Sequence, residues 1–122
     1  MNALAVAVGA AMGALARWGA GVWLNTRWVG GFPLGTLLVN VVGGLLIGMA
    51  LEWFGRQPNE LLKLLLVTGF LGGLTTFSSF SGESLAMLQR GHFGLALAHT
   101  LVHVLGSLAA AAAGFWLMRS MA

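Results

Sequence analysis

The run from Gly69 to Phe80, GFLGGLTTFSSF, places three glycines and four hydroxyl side chains in a stretch otherwise made of Leu and Phe. Glycine weakens a helix by about 1 kcal/mol relative to alanine. Hydrocarbon offers no water to the N–H and C=O groups that a broken helix frees, so irregular backbone survives in a bilayer only where protein buries it or a polar cavity solvates it. The spacing predicts one half-helix ending near Gly72 and another starting near Thr75 and Thr76, where Thr and Ser are natural caps. Carbonyls turned inward at such a break are the groups that hold sodium in broken-helix transporters. A cation bound by backbone oxygen is therefore one chemistry open to this segment, and a kink relieved by neighbouring hydroxyls is the other.

Anion chemistry is a second possibility. Phe77 and Phe80 stand three residues apart, with Ser81 and Glu83 just beyond, so the two rings share a helix face. Aromatic rings carry a positive edge, and amide or hydroxyl donors can complete the shell of a small, hard anion around it. Plain packing of the two rings is the competing fate. Asn40, with Thr36 one turn before it in GTLLVN, brings a side-chain amide into an apolar helix, where leaving it unpaired costs roughly 1 to 3 kcal/mol. It must therefore meet either a partner helix or a polar pathway.

Arg17 lies inside the first apolar stretch, where it can anchor a helix end by snorkelling or draw anions toward a vestibule. His99, His103 and Ser107 recur every four residues on a face otherwise built of Leu and Ala. Two histidines at that spacing are a metal-ligand pattern. With no third ligand from Cys, Asp or Glu near them in sequence, a hydrogen-bonded polar track or a helix contact is the expected role.

Four elements must position these groups. Hydrophobic residues make up 58% of the 122 and charged residues 7%, against roughly 25% charged in soluble domains; the mean hydropathy is +0.90. Apolar stretches cover Ala3 to Leu24, Leu34 to Phe54, Leu61 to Leu88 and Phe93 to Met118, each meeting the roughly 20 residues that a spanning helix needs. The first lacks the basic leader of a signal peptide and is too long for its core. Residues 1–122 read as a single four-helix membrane domain, with no room for an extramembrane catalytic unit. Trp18, Trp23, Trp28, Trp53 and Trp116 fall near the helix ends, as in an interfacial aromatic belt. Cysteine is absent, which excludes disulfides, thiolate metal sites and cysteine nucleophiles together. The net charge of +3 comes from scattered basic residues, a pattern of headgroup contact and not of nucleic-acid binding.

Orientation is nearly balanced. Arg56, Lys63 and Arg119 lie on one side, against Arg27 and Arg90 on the other, with Arg17 a possible addition to the second group. Such a tally fits either a weakly biased single orientation or insertion both ways, in which case two inverted copies would pair about a two-fold axis in the membrane plane. Gly9 with Gly13, Gly44 with Gly48, and Gly69 with Gly73 are small-xxx-small pairs that permit close helix approach; packing within one subunit is the expected use of at least two of them.

Together these residues resemble the Fluc (CrcB) family of small fluoride channels. GALARW around Arg17, GTLLVN ending at Asn40 and GFLGGLTTFSSF ending at Phe80 look like the family's three signature segments, in order and at similar spacing. The resemblance implies an all-α membrane protein of four transmembrane helices, the third broken mid-membrane, paired as an antiparallel, dual-topology homodimer in the inner (plasma) membrane. It further implies passive fluoride efflux through two pores and a structural sodium ion at the dimer centre. By motif position, Asn40, Phe77 and Phe80 would line the pores, Gly72 and Thr75 would offer carbonyls to sodium, Thr36, Ser78, Ser81 and Glu83 would lie along the route, and Arg17 near a vestibule. A polar track of His99, His103 and Ser107 extends this reading to the fourth helix. Small multidrug-resistance exporters are also four-helix, dual-topology dimers, but they need a membrane-embedded carboxylate; the first helix has none, and Glu52 and Glu83 sit toward helix ends. A non-transporting assembly factor would explain the hydrophobicity but not the Gly69–Phe80 run. No constellation of nucleophile, base and oxyanion donors points to an enzyme.

Overall fold

A computed structural model describes residues 1–25 and 33–121; the positions of Arg27 and Trp28 lie outside the described residues. Helix α1 spans Asn2–Ala20 and runs on as a π-helical turn, Gly21–Asn25; α2 covers Leu34–Arg56. The third apolar stretch is built in pieces: α3 (Glu60–Lys63), a π-helical segment (Leu64–Leu71), α4 (Gly72–Leu74) and α5 (Phe77–Gln89). Helix α6, Phe93–Ser120, is 28 residues long, about 42 Å at 1.5 Å per residue, more than the roughly 30 Å of a hydrocarbon core. Four described stretches are long and apolar enough to cross a membrane: Asn2–Asn25, Leu34–Arg56, Glu60–Gln89 and Phe93–Ser120. Their ends lie within two residues of those expected.

Local chemistry sets the ends. Asn59 caps α3, its Oδ1 accepting from Leu62 N–H at 3.0 Å. The turn between α5 and α6 passes through Gly91 at φ 78°, a left-handed conformation that glycine adopts without steric cost. Between α4 and α5, Thr75 (φ −85°, ψ 154°) and Thr76 (φ −148°, ψ 118°) are extended. The glycines before them do not interrupt the helix. Gly72 sits at φ −61°, ψ −37°, and helical geometry continues to Leu74, so the expected end near Gly72 moves two residues on.

Those glycines serve packing. A Cβ added at Gly69 would lie 2.7 Å from Val6 O, and one at Gly13 would lie 2.7 Å from Leu74 N, so α1 and the third span meet backbone to backbone. At the other seam, a Cβ at Gly44 would lie 2.6 Å from Ser107 O and one at Gly48 would lie 2.9 Å from Phe115 N, which joins α2 to α6. All three small-residue pairs are therefore used inside the chain. Val39, Leu71 and Leu74 form the buried centre, flanked by Leu46, Ile47, Val67 and Phe70. The outer surface is apolar, with Leu4, Met12 and Leu15 exposed on α1 and Leu97, Leu101, Leu105 and Leu108 exposed on α6, as lipid contact requires. Trp18, Trp23, Trp53 and Trp116 are exposed as well.

Candidate functional site

The second of the two extended residues, Thr76, is held by a side chain from another helix. Asn40 Oδ1 accepts from Thr76 N–H at 2.8 Å, and Asn40 Nδ2 donates to Thr76 O at 3.0 Å. In an uninterrupted helix the Thr76 N–H would go to the Gly72 carbonyl; taken by Asn40, it leaves that carbonyl without its helical donor. The neighbouring carbonyls are served differently. Leu71 O accepts from both Thr75 N–H (3.0 Å) and Thr75 Oγ1 (2.9 Å), and Gly73 O accepts from Arg17 Nε at 3.1 Å. The Arg17 guanidinium thus reaches inward to the C-terminal end of α4, where positive charge is favoured, instead of snorkelling outward. The Gly72 carbonyl and the extended Thr75 are groups of the type that ligate a monovalent cation.

Thr76 also opens the next helix. Its Oγ1 accepts from Ser79 N–H at 3.1 Å and contacts Ser78 Oγ at 3.2 Å, a cap that supplies one of the orphan donors of α5. From there Phe77 and Phe80 lie with centroids 5.4 Å apart and planes tilted by 60°. They differ in environment. Phe80 is buried, whereas Phe77 is 78% exposed.

Phe80 leads into a polar cluster between α5 and α6. Its ring stacks on His99 (5.3 Å, 18°) and lies 4.7 Å from His103. His99 is fully buried; its Nδ1 meets Ser84 Oγ at 2.8 Å and its Nε2 meets Glu83 Oε1 at 3.1 Å. The other carboxylate oxygen of Glu83 accepts from Thr36 Oγ1 at 2.5 Å. His103 Nδ1 lies 3.3 Å from Asn40 Nδ2. The two backbone groups of Thr76 fix which end of the Asn40 amide is the donor, so His103 Nδ1 accepts and the proton rests on Nε2. That nitrogen is buried and has no hydrogen-bond partner among the described residues.

Folding therefore gathers Thr36, Asn40, Phe80, Glu83, His99 and His103, while Ser78 and Ser81 lie on the exposed side of α5 and Ser107 sits half-buried one turn beyond His103. The Gly73 carbonyl and Ser84 were not foreseen, nor was the pairing of the Thr76 backbone with Asn40. A cavity of about 500 Å³ is lined by Asn40, Gly72, Thr75, Phe77, Phe80, His103 and Ser107 among others. A second, of about 320 Å³, is lined by Arg17, Asn25, Thr36, Thr76 and Ser79. Thr76 lines both.

A family model described as CrcB-like protein, Camphor Resistance (CrcB), matches residues 4–115. A Bordetella petrii protein named fluoride-specific ion channel FluC is 53% identical over 116 residues, covering 93% of this chain and 88% of its own. A protein of the same name from Aromatoleum aromaticum is 52% identical over 114 residues, covering 92% and 86%. One from an Escherichia coli O139:H28 strain is 47% identical over 116 residues, covering 93% and 91%.

Proposed function

The chain belongs to the CrcB family, and from that premise we propose that it is a fluoride channel, through which fluoride leaves the cell passively across the inner membrane. The working unit is an antiparallel homodimer in which all 122 residues form one channel domain per subunit and two pores run side by side. The interruption at Thr75 and Thr76 lies at mid-membrane, near the two-fold axis. The drug-exporter alternative is not favoured by the family match.

The observation that carries the reading is the junction of Phe80, Asn40 and His103 at the edge of the larger cavity. Fluoride is small and strongly hydrated, so a pore must replace its water with several modest donors and still release it. A buried ring edge, an amide N–H in a long 3.3 Å contact and an imidazole N–H with no partner among the described residues are such donors. Asn40 has a second task, since its carbonyl and remaining N–H hold Thr76. Arg17, on the smaller cavity, draws anions into a vestibule shared with Thr36. Ser78, Ser81, Phe77 and Glu83 line the route, and His103 with Ser107 continues it along α6. Gly72 and Thr75 would hold a structural sodium ion through their carbonyls, the Gly72 oxygen having lost its helical donor to Asn40; the bound ion would supply positive charge at the dimer centre.

Fluoride-electrode recordings on vesicles containing purified protein test this. Wild-type protein should release fluoride at a rate indifferent to a proton gradient, and Phe80→Met or Asn40→Asp should abolish or strongly reduce it. Proton movement driven by a cationic drug, without fluoride release, would overturn the proposal.

A further inference from the structure

Glu83, His99 and His103 each present one ligand atom, and the three atoms lie within 4.8 Å of one another. The spacing on α6 supplies only the two imidazoles; the carboxylate arrives from α5 through folding. The geometry points to a binding site for a divalent transition metal of the zinc type, held by Glu83, His99 and His103. Two imidazoles and a carboxylate are an established zinc ligand set that leaves a fourth position for water, whereas magnesium and calcium call for oxygen donors throughout. Bonds of about 2.1 Å bring tetrahedral ligands to about 3.4 Å from each other; His99 Nε2 and Glu83 Oε1, at 3.1 Å, already stand near that spacing, and the widest pair needs to close by at most about 1.4 Å, within the reach of side-chain rotation.

A second observation points the same way. His103 is 4% exposed, and its Nε2 is a buried nitrogen with no partner among the described residues. Around the cluster the outer contacts suit a metal centre. Ser84 Oγ faces His99 Nδ1, ready to take its N–H while Nε2 turns to the metal, and Thr36 holds the far oxygen of Glu83. Capture moves the His103 ring proton from Nε2 to Nδ1, which then faces a donor and opens the 3.3 Å contact with Asn40. The Glu83 side chain is 20% exposed and gives the ion its entry.

Because these residues adjoin Phe80 and Asn40, the bound ion blocks fluoride passage; this last step rests on the channel reading, while metal binding itself does not. Titration of zinc into untagged protein in detergent, against a competing chelator, should find one ion per chain. Glu83→Gln, His99→Asn and His103→Asn should each weaken binding by more than about 100-fold, beyond the 10–100-fold typical of losing an outer-shell contact. His92→Asn, at the exposed start of α6, should leave it unchanged. Zinc-edge X-ray absorption on wild-type protein needs no variant and should show two imidazole nitrogens in the first shell. Absence of binding, loss of binding with His92→Asn, or a shell without two imidazoles would overturn the site. In vesicles, zinc should slow fluoride efflux at least about tenfold, with recovery on chelation, since loss of a pore is a loss of pathway and not a small tuning of it. Zinc bound at the cluster with efflux untouched would overturn the block. Wild-type vesicles that release no fluoride even without zinc would count against the channel and leave the metal site standing.

Discussion

Where α1 meets the third span, Gly9 lies against Gly69, Gly13 against the backbone of Phe70 and Leu74, and Gly73 against that of Ala10 and Ala14; where α5 meets α6, Phe80, Glu83, Ser84 and His99 fill the contact with rings and polar groups. The first seam is held by the absence of side chains and the second by particular ones. Adding an atom should therefore damage the glycine seam, whereas removing one should damage the polar seam.

The largest effect is expected from Asn40→Leu, which fills similar space but strands both backbone groups of Thr76. Each buried orphan costs about 1 to 3 kcal/mol, so the thermal midpoint in detergent should fall well below wild type and fluoride efflux should vanish. An unchanged midpoint would show that Thr76 finds other partners. Next comes Gly13→Ala, whose new methyl meets the backbone of Phe70 and Leu74; overpacking of this kind costs about 1 to 3 kcal/mol. If this variant melts like wild type, the glycine seam is looser than described. Thr76→Val removes the cap on Ser79 N–H, worth typically about 1 kcal/mol, and calorimetry should register a modest drop. Smallest of all is Gly94→Ala. Nothing lies within 4 Å of a Cβ there, and reduced backbone freedom in the unfolded chain should raise stability by about 0.4 to 1 kcal/mol. A loss of stability comparable with that of Gly13→Ala would erase the distinction between seam glycines and open ones.

The same contrast governs what could be read in advance. Apolar runs of spanning length report directly on helix ends because the bilayer imposes their length, and the small-residue pairs report on close approach because only glycine permits it. Both are properties of a single segment. The polar contacts between elements are not: Asn40 finds Thr76 36 residues away, Arg17 finds Gly73 56 residues away, and Thr36 finds Glu83 47 residues away. Periodicity shows which residues share a face of one helix and is silent on which helix that face meets. The third metal ligand stayed hidden for this reason, since a search near His99 and His103 in sequence does not reach Glu83. Composition also misled at Gly72. Glycine's permissiveness pointed to a break, yet the residue remains helical, and the helix gives way where a distant amide competes for the N–H of Thr76.

That competition bears on how the chain is made. A lone third segment entering the bilayer has no amide to receive the Thr76 N–H, and hydrocarbon penalises every unserved backbone group, so during insertion it is best accommodated as an unbroken rod. The interruption then arises only once the second segment docks beside it, as a late product of assembly inside the lipid. A nascent chain arrested before that docking would carry every residue of the site and none of its shape.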